Sequence, residues 1–216
     1  YAVSSDTGNT AWAMIALLSA HRVLASGQKD SPYLHAALRA SKWIEEHCRE
    51  NGSLGGYTGG FEGWEETIAH PAGPKRLEWR STEHNLDLYA AFSQLATATE
   101  DAAWQKCAAH ARTFVLNLWN AKGRFFWTGV RDSQGTLNTD AVPADVQTWS
   151  VLAMGHDDMF RQTIGWAGPP DVPDCLKWVE ENCRLDHRGT DPECPGVAGY
   201  RFSNQDLNAV VAYMLA

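Results

Sequence analysis

The chain has 216 residues, 44% hydrophobic and 20% charged, with a formal net charge of −8. That length supports one sizeable core, so the expectation is a single domain over residues 1–216. The composition excludes a disordered chain, no apolar run reaches the roughly 20 residues of a membrane span, and the acidic balance excludes nucleic acid as a partner.

The first element is "DTGNTAWAMIALLSA" from Asp6: polar cap residues, then a run apolar nearly all round, which predicts a helix buried on every side. "SPYLHAALRASKWIEEHCRE", Ser31 to Glu50, follows with a Ser-Pro start signal and one apolar face, so it predicts an amphipathic outer helix. Then comes a glycine-aromatic stretch, "NGSLGGYTGGFEGW", which suits short strands or tight loops. The same order recurs. "TEHNLDLYAAFSQLA" from Thr82 is a second inner helix, "DAAWQKCAAHARTFVLNLWN" from Asp101 a second outer one, and "KGRFFWTGVRD" a second aromatic turn. "ADVQTWSVLAMG" from Ala144 opens a third unit. "HDDMFRQTIGWAGPPDVP" reads as a short helix and a loop, "VPDCLKWVEENCRL" from Val172 as a third outer helix, and "GTDPECPGVAGYRFS" as a third turn. "NQDLNAVVAYMLA" from Asn204 begins a fourth inner run. The repeat is thus inner helix, outer helix, aromatic turn.

This alternation, with "STEHNLDLYAAF" and "DVQTW" as its local segments, is similar to the six-hairpin (α/α)6 toroid of carbohydrate-active enzymes, the glycosidase-like superfamily. The resemblance implies an all-α fold of helical hairpins, with about seven main helices where a full toroid has twelve. It also implies short β-hairpins or aromatic loops gathered at one end, and a second chain or copy covering the sides of an incomplete toroid. It further implies a ligand at the N-termini of the inner helices, where free N–H groups and loop aromatics converge.

The implied chemistry is carbohydrate chemistry, foremost glycoside hydrolysis of a neutral or weakly charged oligosaccharide or polysaccharide. Hydrolysis needs one carboxylic acid and one carboxylate. Glu83 is the first candidate acid, with Trp79 and His84 beside it to raise its pKa. Asp145, at the start of the third inner helix, is the candidate partner, and Asp6 and Asp87 are reserves. The bland reading of Asp6 and Asp145 is helix capping. Glu83 and Asp87 stand at i and i+4, one helical face, and the capping-box spacing does not explain them. His84 is a candidate proton shuttle.

The expected substrate-binding residues are Tyr57, Phe61, Trp64, Trp79, Arg80, Trp127, Gln147, Trp149 and Tyr200, chiefly loop aromatics drawn from an unusually large set of ten Trp. Neither a metal nor a cofactor is expected. Five cysteines form no CxxC pair, "GGYTGGFEGW" lacks the Lys-Ser/Thr of a phosphate loop, and no GxSxG, HExxH or dinucleotide motif is present. Two enzymatic alternatives keep the fold, a sugar epimerase or a polysaccharide lyase using His84 as base. A third alternative is a non-catalytic carbohydrate-binding or assembly module, or an isoprenoid-type α/α toroid. Compartment stays open between secreted and cytoplasmic for a soluble chain.

Overall fold

A computed structural model describes residues 4–26, 28–69, 71–186 and 198–204. In chain order they form β1 (Ser5–Asp6), α1 (Thr7–Leu24), α2 (Pro32–His47), β2 (Gly60–Glu62), β3 (Lys75–Arg76), β4 (Arg80–Ser81), α3 (Thr82–Thr99), α4 (Ala102–Asn117), β5 (Trp119–Asn120), β6 (Phe125–Phe126), β7 (Gly129–Val130), β8 (Leu137–Asn138), α5 (Ala144–Met154), α6 (Asp158–Ile164), α7 (Asp174–Cys183), β9 (Arg184–Asp186) and β10 (Ala198–Tyr200). These are helical hairpins of the α/α-toroid type joined by very short strands, as the alternating pattern predicts. The fourth inner run lies, beyond Asn204, outside the described residues.

Two compact units divide the chain. The first comprises Tyr1–Asn117 with Gly129–Thr136, the second Leu118–Thr128 with Leu137–Ala216.

In the first unit, α1 packs on α2 and on α3, and α3 packs on α4. The start signals act as read. Ser31 caps α2 by accepting from the Leu34 N–H at 3.1 Å, and Ser81 caps α3 toward the His84 N–H at 3.4 Å. The core joins Met14 and Leu18 of α1, Leu34 and Ile44 of α2, Leu88, Phe92 and Leu95 of α3, and Trp104 and Ala111 of α4. Phe92 and Trp104 stack 5.8 Å apart. Helix α3 is buried nearly all round, but α1 is not: Trp12, Val23 and Leu24 are 50%, 69% and 67% exposed. Apolar residues all round a helix signal burial only where neighbours stand on every side, and the first unit supplies α1 with two.

The first unit also shows how the repeat is built. Each strand before an inner helix ends on the cap residue, and that residue pairs with a glycine of a later hairpin: Asp6 with Gly60, Ser81 with Gly129. At Gly60 the backbone has φ +106°, and an added Cβ would stand 1.9 Å from the Ser5 carbonyl oxygen, so only glycine permits the pairing. Asn85 of α3, four residues past the cap, then clamps the aromatic turn. Its Oδ1 accepts from the Tyr57 N–H at 2.8 Å and its Nδ2 donates to the Tyr57 carbonyl at 3.1 Å and to Ser81 O at 2.8 Å.

The second unit repeats the device with other residues. Helix α5 packs on α7 and on β6, and the cap position is Pro143, which bridges Ser203. Gln147, again four residues on, accepts from the Phe126 N–H at 2.8 Å and donates to Phe126 O at 3.0 Å and to Pro143 O at 3.1 Å. A small cluster of Val142, Trp178, Val179 and Cys183 packs with Phe125 and Trp127. Cys48, Cys107, Cys175 and Cys183 are buried free thiols.

Candidate functional site

The starts of α1 and α3 meet in the first unit. Asp6 is the cap of α1, and its Oδ1 accepts from the Asn9 N–H at 2.8 Å. The same oxygen stands 3.8 Å from Nε2 of His84, in the first turn of α3. Gly8 makes room for this approach, because a Cβ there would come within 2.6 Å of the imidazole Cδ2. The Trp79 ring stands 5.4 Å from the imidazole centroid and lies so tightly on Gly59 that a Cβ would meet it at 2.4 Å. Backbone bonds fix the frame, Thr7 N–H to Gly59 O at 3.1 Å and Gly59 N–H to Trp79 O at 2.9 Å.

His84 is 14% exposed at its side chain, and its buried Nδ1 has no hydrogen-bond partner within the protein. Burial lowers its pKa below the usual histidine value, against the smaller raising effect of the Asp6 carboxylate. The imidazole is therefore neutral at pH 7 and able to accept a proton. Glu83, half-buried, is the neighbour of His84 in the first turn, and Asp87, buried, stands one turn on. Asp6, Glu83, His84, Asp87 and Trp79 thus belong to the two adjacent helix starts of the first unit.

In the second unit Asp145 is not the cap of α5. That position is Pro143, and Asp145 sits in the first turn with Oδ1 accepting from the Val146 N–H at 2.7 Å. Burial raises its pKa above the usual carboxylate value, and that hydrogen bond offsets part of the rise. Asp145 opens on a largely apolar groove of about 840 Å³ with Thr148, Val172, Leu176 and Tyr200. The Tyr200 hydroxyl donates to Glu180 at 2.5 Å on the same rim.

Several expected binding residues make contacts inside the protein. Tyr57 is wholly buried, and its hydroxyl donates to Glu45 at 2.7 Å, so it offers no ring face to a ligand. Burial and the Glu45 carboxylate push its phenol pKa far up. Arg80 is buried, donates to Gly55 O at 2.7 Å and lies over the Phe114 ring at 5.3 Å. Gln147 spends its amide on the Phe126 clamp. Phe61 packs on Trp43 and His47, while Trp127 and Trp149 are partly buried. The glycine-rich turn that carries Tyr57 is itself buried from Gly55 to Gly60, which is why its aromatic became core. Sequence reading missed the shared role of Asn85 and Gln147. The signal was an amide at the fourth position after the caps of α3 and α5, where α1 has Thr10.

Among the described residues no group of three or more His, Cys, Asp and Glu side chains could hold a metal ion, and no helix is long and apolar enough to cross a membrane.

Similar folds occur among solved structures. A glycoside hydrolase family 76 α-mannanase of Bacteroides thetaiotaomicron aligns with TM-score 0.58 at 17% identity, over 86% of this chain and 47% of that one. Cellobiose 2-epimerase of Bacillus thermoamylovorans aligns at 0.59 and 14%, over 84% and 46%. A D-mannose isomerase aligns at 0.61 and 12%, over 93% and 47%. The fold is therefore that of α/α-toroid helical hairpins, and the chain spans about half the length of these structures. No family model and no curated protein sequence matches it.

Proposed function

We propose that this chain acts on neutral carbohydrates, as a glycoside hydrolase with Glu83 as the acid. What carries the reading is the meeting of two inner-helix starts, where the Asp6 carboxylate, the His84 imidazole and the Trp79 indole stand together and Glu83 precedes His84 in the first turn of α3. The mannanase likeness supports the fold that this chemistry uses. In hydrolysis the protonated carboxyl gives its proton to the glycosidic oxygen as the C–O bond breaks, and a carboxylate takes a proton from the attacking water or attacks C1 itself. Within the first unit, Asp6 and Asp87 are the carboxylates between which the second role falls. Asp6 is partly committed to its cap, whereas Asp87 lies inside α3, past the cap.

The His84–Asp6 pair favours one second reading, sugar epimerisation or isomerisation. A neutral imidazole removes the proton from the carbon beside the carbonyl, and the resulting enediolate is reprotonated, on the opposite face or at the neighbouring carbon. Both readings are tested by incubating the chain with manno- and cello-oligosaccharides and separating the products. Shorter sugars with new reducing ends support hydrolysis. Unchanged length with an altered reducing-end sugar supports epimerisation, and neither change with either series overturns both.

A further inference from the structure

Beside the helix starts of the first unit, a second feature has no part in that chemistry. Strand β1 pairs with β2, and β2 with β3, in one small sheet, with Ser5 opposite Phe61 and Glu62 opposite Lys75. The connection leaving β2 carries Trp64, 50% exposed, and bounds a cavity of about 690 Å³ with Ser4, Glu62, Pro71 and Lys75. Ser4 precedes Asp6 by two residues, so the cavity edge lies ~7 Å along the strand from the Asp6 cap.

We propose that this cavity is a subsite for a neutral oligosaccharide, with one sugar ring stacked on Trp64. Three observations converge on that ligand class. An indole half in solvent on a loop contributes little to a core, yet its flat face suits the C–H surface of a pyranose. The rim sets Glu62 opposite Lys75 in the strand register and adds the Ser4 hydroxyl, which supplies donors and acceptors for hydroxyl groups. Glu65 and Glu66, both exposed, follow Trp64 directly and disfavour an acidic glycan. The strand that ends at Asp6 joins this platform to the helix starts, so one extended glycan reaches both.

The inference rests on the carbohydrate reading above and is tested separately from its chemistry. The full chain, Trp64→Ala and Trp64→Tyr are titrated calorimetrically with mannotetraose and cellotetraose and with mannose and glucose, and thermal melting serves as a folding control. The expected result is that the advantage of a tetrasaccharide over its monosaccharide falls about five- to ten-fold in Trp64→Ala, the range of one aromatic contact, and returns largely in Trp64→Tyr. An unchanged advantage in Trp64→Ala overturns the subsite, as does no saturable binding of either tetrasaccharide by the unaltered chain. Trp64-dependent affinity that persists in Glu83→Gln supports the subsite whatever becomes of turnover, so the two readings fail independently.

Discussion

Replacing Asn85 by Ala removes all three side-chain bonds of the clamp and leaves the N–H and C=O of wholly buried Tyr57 without their partner. Each orphaned backbone group costs about 1–3 kcal/mol, so the loss expected in urea or thermal unfolding is about 3 kcal/mol, a large fraction of a domain's stability. Asn85→Asp separates hydrogen bonding from size. Its carboxylate still accepts from the Tyr57 N–H, but its second oxygen now faces the carbonyls of Tyr57 and Ser81 where an N–H₂ stood. Ionisation is then disfavoured in the fold, the folded pKa rises, and between the unfolded and folded values the native state binds the extra proton. Stability of Asn85→Asp is therefore expected to increase as pH falls through its raised pKa toward about 4. At pH 7 the variant is expected to be less stable than Asn85→Ala. A loss under about 1 kcal/mol in Asn85→Ala, or an Asp variant as stable as the Ala variant and indifferent to pH, refutes the clamp.

Capping and chemistry part company at the two candidate aspartates. Asp6→Ala is expected to cost about 1 kcal/mol through loss of the Asn9 cap bond, whereas Asp145→Asn, which relieves a buried charge and keeps the acceptor for Val146, is expected to melt at the same or a higher temperature. A destabilised Asp145→Asn reverses that assignment. Gly8→Ala drives a methyl group into the imidazole, so the His84 pKa followed by NMR is expected to move back toward 6.5, and an unmoved titration contradicts the packing. For the unaltered chain, the lowered His84 pKa means that the unfolded state binds more protons just below pH 6.5. Unfolding free energy is accordingly expected to fall as pH drops through that value, by less in His84→Gln; equal pH slopes in the two proteins contradict a buried neutral imidazole.

The alternation of apolar-all-round and amphipathic runs carried the architecture, because hydrophobic period reports which faces are covered. It carried less about edges. Nothing in "AWAMIALLSA" tells that α1 has helices on only two sides within its unit, since coverage is a property of neighbours. The candidate site was legible where short-range rules act. Ser81 capping α3 leaves Glu83 and His84 in its first turn by counting alone. It was illegible where long-range contacts decide. Tyr57 looked like a loop aromatic, yet Asn85, 28 residues away, draws its backbone into the interior and Glu45 takes its hydroxyl. The use of Gly8 and Gly59 is space, for His84 and for Trp79, and it is set by side chains more than fifteen residues away. For Asp145, a candidate partner with capping as its bland reading, the capping half fails because Pro143 holds the cap position two residues earlier.

The most direct measurement is turnover of neutral oligosaccharides by the unaltered chain and by Glu83→Gln, with thermal melting in parallel. Removing a general acid is expected to lower kcat by about 10²–10⁴-fold while the melting temperature stays within a degree or two. Cleavage undiminished in Glu83→Gln contradicts the assignment of the acid, and an altered reducing-end sugar without cleavage moves the chemistry from Glu83 to His84.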